Sequence, residues 1–498
     1  MSDQASGPKT ATLAELGLTA RGGAEVRVTG LSVDSRMVKP GHLFAALPGT
    51  KVHGADFAPI ALAQGAAAIL TDRAGAQIAR EAMAGTQAAL IVAEDPRQAL
   101  AFAAALWFGT QPDTVVAVTG TSGKTSVATF TRQIWQAMGL RAANIGTMGV
   151  LGDFTAPVPH TTPEPLTLHR ILAEMAEIGV DHAAMEASSH GLDQKRLDGV
   201  RLKAGAFTNF SQDHLDYHAS FDEYFAAKAG LFDRVLPEEA TAVLYMDDPR
   251  SSEMQAHAKA RGLELITVGR DTPADMKILS QRFDATGQDV RVDWFGAPRQ
   301  LRLDLIGGFQ AENVLIAAGL VIAAGAEPDE VFAALRQVRT VHGRMELAAV
   351  RGNGATVFVD YSHKPGALAS ALVSLRPHVM GRILCVFGAG GDRDRLKRPL
   401  MGEAAARHAD LVFVTDDNPR SEDPATIRAE VMAGCPDATE VGDRAEAILR
   451  AVDALEPGDA LIIAGKGHET GQIVGDTVYP FDDAEQASVA VAALEGRI

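Results

Sequence analysis

The chain has 498 residues, 47% of them hydrophobic and 22% charged, with a formal net charge of −17. That length is too great for one compact core and suits about three domains of roughly 150 residues each, and the composition is too apolar for wholesale disorder. The acidity argues against a nucleic-acid partner, which demands a basic face, so anionic substrates would need local clusters of Lys and Arg.

The two cysteines, Cys385 and Cys435, form no CxxC pair and no His/Cys metal spacing. They read as small buried hydrophobes in a reducing compartment rather than as a disulfide framework or a zinc site. No run reaches the roughly 18 apolar residues that span a bilayer. The longest candidate, 314–326, is Ala/Gly-rich and reads as a buried helix. The opening MSDQASGPKT lacks the basic segment and apolar run of a secretory signal, so a cytoplasmic protein without a membrane partner is expected.

In chain order, strand-like apolar runs alternate with Ala-rich helical segments, the signature of parallel α/β architecture. Three blocks divide the chain. Residues 1–94 hold LSVDSRMVKPGHLFAALPGTKVHGADF and a short strand AAAIL at 66–70. Residues 95–341 open on the strand VVAVTG at 115–120 and carry a glycine loop. Residues 342–498 contain ATVFVDYSH, ILCVFGAGGD, LVFVTDDNPR and ALIIAGKGHE, buried-strand candidates that end in polar or glycine-rich turns. Ligands of open parallel sheets bind beyond the carboxyl ends of the strands, so these turns point at one site.

VVAVTGTSGKTSVATF reads as strand, glycine loop and helix. Gly120 and Gly123 let the backbone turn tightly and aim its N–H groups, with those of Thr121, Ser122 and Ser126, at phosphate oxygens. Lys124 would reach the β/γ-phosphates, and the Thr125 hydroxyl would ligate Mg²⁺. Val118 stands where the strict G-x-x-x-x-G-K-[ST] pattern has its first glycine, so the loop is a shorter TGTSGKT variant.

TGTSGKT resembles the phosphate loop of the Mur ligase family, and the resemblance covers nearly the whole chain. MEASSHGLDQKRL (185–197), FTNFSQDHLDYH (207–218), YFAAKAGLF (224–232), GGFQAENV (307–314), HGRME (342–346), DYSHKPGAL (360–368), GAGGDRDRLKRPLM (388–401), DDNPR (416–420) and GKGHE (465–469) occur in the family's order. The resemblance implies an α/β fold of three domains: a UDP-precursor-binding N-terminal domain, a central P-loop ATPase domain with a parallel-rich sheet, and a C-terminal Rossmann-like domain that brings an amino acid. It also implies an ATP-dependent, monomeric, cytoplasmic ligase of peptidoglycan synthesis. ATP converts a substrate carboxylate into an acyl phosphate, which an incoming amine attacks. Such chemistry gathers negative charge, so positioning and neutralisation dominate.

By the same resemblance Glu186, His214 and Lys228 join Thr125 around Mg²⁺, Lys228 as a carbamate, and with Lys124 these three form the catalytic set. From its own pattern Lys228 would read as a snorkelling surface lysine. Asn313 and Arg344 match adenine and phosphate contacts, and Asp360 a ribose contact. Three residues depart from the family pattern here: Gln310, Lys364 and Gly366. Val33, Ser35 and Arg36 with the 50–54 loop match the uridine region, although VDSR alone reads as a surface turn. Thr161, Thr162, Ser188, Gln194 and Arg196 match positions that hold the UDP-MurNAc-L-Ala-D-Glu precursor.

The third block decides the amino acid. Diaminopimelate differs from lysine by a carboxylate beside its far amine, so a selective site offers a bidentate cation and an acid. Asp417, Asn418, Pro419 and Arg420 in DNPR supply those types, and the resemblance adds Arg393, Gly465 and Glu469. Family members that add diaminopimelate carry DNPR, whereas lysine-adding members generally lack the arginine. Loss of that arginine would leave a buried carboxylate unpaired, at roughly 2–5 kcal/mol. The alternatives are a lysine-adding or folylpolyglutamate-synthase-like enzyme, and a non-catalytic nucleotide-binding protein.

Overall fold

A computed structural model describes residues 9–23, 25–49, 51–211 and 217–497. The fold is α/β, and by mutual packing it forms two compact units: the described residues of Met1–Ala274 with Ile316–Val331, and Asp275–Leu315 with Phe332–Ile498.

The first unit contains an antiparallel pair, Ala11–Thr12 with Arg27–Val28, and two larger sheets. The strands Gly30–Ser32, His42–Ala45, Ala68–Thr71 and Ala89–Val92 pair in that order, all parallel. The second sheet runs Glu264–Gly269, Thr241–Tyr245, Leu202–Phe207, Thr114–Thr119, His182–Glu186 and Ala142–Gly146 in parallel, and Gly149–Gly152 folds back antiparallel at the edge. The central strand Thr114–Thr119 therefore lies between two strands that come later in the chain. Chain order reverses there, and crevices open at such points beyond the strand ends.

The second unit begins with an antiparallel meander, Met276–Asp284, Gly287–Trp294 and Ala297–Leu303. A six-stranded sheet follows in the order Glu346–Val350, Thr356–Asp360, Ala460–Ala464, Ile383–Phe387, Leu411–Val414 and Thr439–Glu440, antiparallel only at its first pair. Its strands are continuous apolar runs because helices cover both faces. Phe358, Cys385, Phe387 and Ile462 face one core, and Val357, Leu384, Val386 and Ile463 face the other. Cys385 and Cys435 are buried and unpaired, and burial pushes both thiols up, that of Cys435 to about 11, as expected of inert core residues. The Ala-rich run after Asn313 is a helix, Phe309–Ala323, with Val314, Ile316, Leu320 and Val321 buried. Among the described residues no helix is long and apolar enough to cross a membrane.

Candidate active site

The glycine loop leaves its strand at Thr119 and enters the helix Lys124–Ala137 at Gly123, whose φ of 86° is left-handed. Among the described residues no side chain caps that helix, an arrangement that suits a phosphate at its start. Gly120 is required twice over: its φ is 144°, and a Cβ there would lie 1.9 Å from Thr208 Oγ1.

The close approach reflects a seam between the loop and the neighbouring strand end. Thr121 N donates to Asn209 O at 2.9 Å, Ser122 N to Asn209 Oδ1 at 2.9 Å, and Thr208 Oγ1 to Ser122 O at 2.6 Å. Sequence reasoning assigned neither Thr208 nor Asn209 a role. FTNFS follows a buried strand directly, and that placement was the available signal.

Lys124 folds back on its loop, with Nζ 2.8 Å from Gly120 O and 2.9 Å from Thr121 O. Lys228 Nζ donates to the same Gly120 carbonyl at 2.7 Å and sits 4.5 Å from the Tyr224 ring. At 1% exposure Lys228 is no surface lysine, which corrects the reading its own pattern gave. It lies on the helix Phe221–Gly230 among buried Tyr224, Phe225 and Ala229. His214 and Thr50 fall outside the described residues.

Glu186 ends the strand His182–Glu186 in register with Val118, one strand from the loop. It is 1% exposed, not a surface acid, and its oxygens accept from Thr147 N at 2.9 Å and Thr147 Oγ1 at 3.3 Å. A Cβ on Gly146 would come within 2.0 Å of Glu186 Oε1, so glycine makes room for the carboxylate. Among the described residues no cation pairs with it. A buried carboxylate left so is a fitting ligand for a divalent cation.

The five residues expected to hold the precursor share one network reaching Glu186. Thr162 Oγ1 donates to Glu186 O at 2.8 Å and lies 3.0 Å from Ser188 Oγ. Thr161 Oγ1 lies 3.0 Å from Thr147 Oγ1. Arg196 donates to Thr162 O at 2.7 Å and to Gln194 Oε1 at 2.8 Å. In the N-terminal sheet, VDSR follows the strand Gly30–Ser32: Val33 is exposed, Ser35 is buried, and Arg36 turns onto its own neighbour Asp34 at 2.6 Å.

In the second unit, Asn313 Nδ2 donates to Gln310 Oε1 at 3.0 Å. The departure at Gln310 thus supplies the acceptor that orients Asn313. Asp360 accepts Met345 N at 2.8 Å, Ser362 N at 2.9 Å and the Ser362 hydroxyl, while burial pushes its carboxyl up. Arg344 lies 4.7 Å over the Tyr361 ring. Lys364 precedes the helix Pro365–Leu375 without capping it, and a Cβ on Gly366 would meet nothing within 4 Å.

Sheet register then brings the remaining motifs together. Asp360, Ala464 and Phe387 are direct neighbours, and Phe387 pairs with Val414, so the turns after all four strands share one edge. Asn418 donates to Glu469 Oε2 at 2.9 Å, and its Oδ1 accepts Lys466 Nζ at 3.0 Å. Lys466 also lies 3.3 Å from Asp417 Oδ1. A Cβ on Gly465, whose φ is 114°, would reach Asp417 Oδ2 at 2.8 Å. Burial pushes the Asp417 carboxyl up, but Arg444, Lys466 and the Asn418 N–H outweigh it and hold it below the usual carboxylate range.

Arg420 has a left-handed φ of 51°, and its Nη1 donates to Gly391 O at 2.9 Å and to Asn418 O at 3.4 Å. Among the described residues Nε and Nη2 carry no hydrogen bond, which leaves one edge of the guanidinium for a carboxylate. Pro419 sits against Gly391, where a Cβ would come 1.9 Å from Pro419 O. Arg393 is exposed and donates to Asp392 O at 3.0 Å. Sequence reasoning missed Lys466 and Arg444, both buried under the strand ends. A lysine between glycines looks solvated until the strand packs.

This constellation matches known proteins along the chain. Three family descriptions apply: Mur ligase family, catalytic domain, at residues 27–107; Mur ligase middle domain at 118–321; and Mur ligase, glutamate ligase domain, at 343–467. The UDP-N-acetylmuramoyl-L-alanyl-D-glutamate–2,6-diaminopimelate ligase of Brucella melitensis is 50% identical over 472 residues, which cover 94% of this chain and 95% of the relative. The chain belongs to the Mur ligase family. A solved structure of a ligase with that same name is 32% identical, with a TM-score of 0.73, and the match covers 98% of this chain and 100% of the other. A more distant Mur ligase, MurF from Thermotoga maritima in complex with ADP, shares the fold at 19% identity and a TM-score of 0.60, over 94% of this chain and 98% of that one.

Proposed function

We propose that this Mur ligase is an ATP-dependent, ADP-forming enzyme that joins meso-2,6-diaminopimelate to UDP-N-acetylmuramoyl-L-Ala-D-Glu for peptidoglycan synthesis. The observation that carries this reading is Arg420, held by the Gly391 and Asn418 carbonyls with one edge of its fork open, while the Asn418 side chain holds Glu469. A diaminopimelate carboxylate takes that edge, and Glu469 takes the neighbouring ammonium. The naming of half-identical relatives supports the same substrate.

The helix start at Lys124 and the N–H groups of residues 120–126 receive the ATP phosphates. Asn313 contacts adenine, Arg344 a phosphate and Asp360 the ribose. Thr161, Thr162, Ser188, Gln194 and Arg196 seat the dipeptide, and Val33 and Ser35 the uridine end. Thr125, Glu186, His214 and Lys228 hold Mg²⁺, with Lys228 as the carbamate formed when its neutral amine adds carbon dioxide and releases a proton. When bound, the metal offsets phosphate charge during transfer to the glutamate carboxylate. The domain limits are 1–94, 95–341 and 342–498, and the enzyme works as a cytoplasmic monomer.

The test incubates purified protein with ATP, Mg²⁺ and UDP-N-acetylmuramoyl-L-Ala-D-Glu, with meso-diaminopimelate or L-lysine in parallel, and follows phosphate release and product mass. A tripeptide product with diaminopimelate alone is expected. Product with lysine alone overturns the reading of Arg420, and no product with either overturns the reaction.

A further inference from the structure

Arg420 is an unlikely residue to hold a positive φ, since a non-glycine side chain there crowds its own carbonyl. Such a conformation persists only where surrounding structure over-determines it. Its backbone is pinned on one side by the hairpin Gly471–Val474 and Thr477–Pro480: Arg420 N donates to Ile473 O at 3.1 Å, and Gly475 N to Arg420 O at 2.8 Å.

On the other side stands an ion-pair joint to which the reaction assigns no role. Arg398, whose side chain is wholly buried, donates to both oxygens of Glu422 at 2.8 and 3.0 Å, to Glu430 Oε2 at 2.7 Å and to Gly390 O at 3.2 Å. Glu422 Oε1 also accepts Asp392 N at 2.6 Å, and Glu422 N donates to Pro419 O at 3.1 Å. Ser421 closes the joint by donating to the Asp392 carboxylate, from Oγ at 2.6 Å and from N at 3.2 Å. The loop carrying Arg420 is thereby fastened to the loop whose Gly391 carbonyl receives Arg420 Nη1.

We infer that Glu422 and Arg398 are positioning residues that set amino-acid selectivity, by locking the two loops so that Arg420 offers its Nε/Nη2 edge to a distal carboxylate. The inference rests on the diaminopimelate reading above. Glu422 touches no reacting atom in this account. It acts through Arg398 and the Asp392 amide, as outer partners of a ligand site commonly do.

Glu422→Gln keeps the size of the side chain and removes the charge that Arg398 grips. Ser421→Ala loosens the same joint independently, at an exposed position where misfolding is a small risk. In the full-length enzyme both variants should raise KM for meso-diaminopimelate, Glu422→Gln by roughly tenfold, and narrow its advantage over L-lysine. The KM values for ATP and the UDP-dipeptide and kcat should stay within about twofold, since only one substrate's clamp is disturbed. Unchanged diaminopimelate KM in both variants, or a uniform loss across all substrates, overturns the inference. Wild-type enzyme that makes no diaminopimelate product overturns the functional reading itself, and the inference with it.

Discussion

Lys228 and Glu186 each bring an ionisable group to almost complete burial beside the phosphate loop. A buried amine that meets a carbonyl and an aromatic face can react with carbon dioxide once neutral, and the carbamate then supplies the charge a second metal ligand needs. Lys228→Ala should therefore lower the rate of phosphate release by at least roughly a hundredfold, with partial recovery in formate or acetate, which can occupy the vacated volume. Full activity in the alanine variant would remove carbamylation from the mechanism. The burial of Lys228 was not legible: its helix carries exposed Asp222, Glu223 and Ala226 beside buried Tyr224 and Phe225, and a lysine in such a run reads as a surface residue. Lys466 and Arg444 were no more legible, because their burial follows from strands that close over them and not from their neighbours in sequence.

At the scale of elements, glycines mark where two segments must touch, and their tolerance to substitution separates the site from the scaffold. Gly146→Ala would drive a methyl within 2.0 Å of Glu186 Oε1. The variant should lose activity and about 1–3 kcal/mol of stability as the carboxylate or the strand shifts. Gly366→Ala is the contrast: it lies in the helix Pro365–Leu375 with open space around its Cβ. It should gain about 0.4–1 kcal/mol with activity unchanged. Chemical denaturation beside a phosphate-release assay distinguishes the two, and a stabilised, active Gly146→Ala would refute the cradle. Strands such as ATVFVD, ILCVF and ALIIA were legible because two-sided burial demands continuous apolar runs. The seam between residues 120–122 and 208–211 was not, since the Thr208 and Asn209 side chains and a backbone bond join it across about 90 residues, a separation that no local pattern reports.

For the whole molecule, pH reports on packing between helices. Burial pushes the His169 ring down to about 4 from the ordinary 6.5, and its Nε2 lies 3.2 Å from Asp198 O. The unfolded chain takes up that proton near 6.5 while the native state delays it, so stability falls as pH drops from about 6.5 to about 4 and levels off below. The loss from this residue is at most about 3 kcal/mol. His169→Gln should flatten the dependence of Tm on pH across that window, and an unchanged slope would show that the ring is not kept neutral. By itself the sequence determined the α/β class, the family, the phosphate loop and the reactive residue types, because hydrophobic periodicity and short glycine-bearing motifs act over a few neighbouring residues. Only tertiary structure decided that Glu186 is buried without a cation among the described residues, that Gln310 orients Asn313, and that Glu422 and Arg398 fasten the Arg420 loop. These depend on sheet register and on contacts between distant segments, which burial energy fixes only when the whole chain has packed.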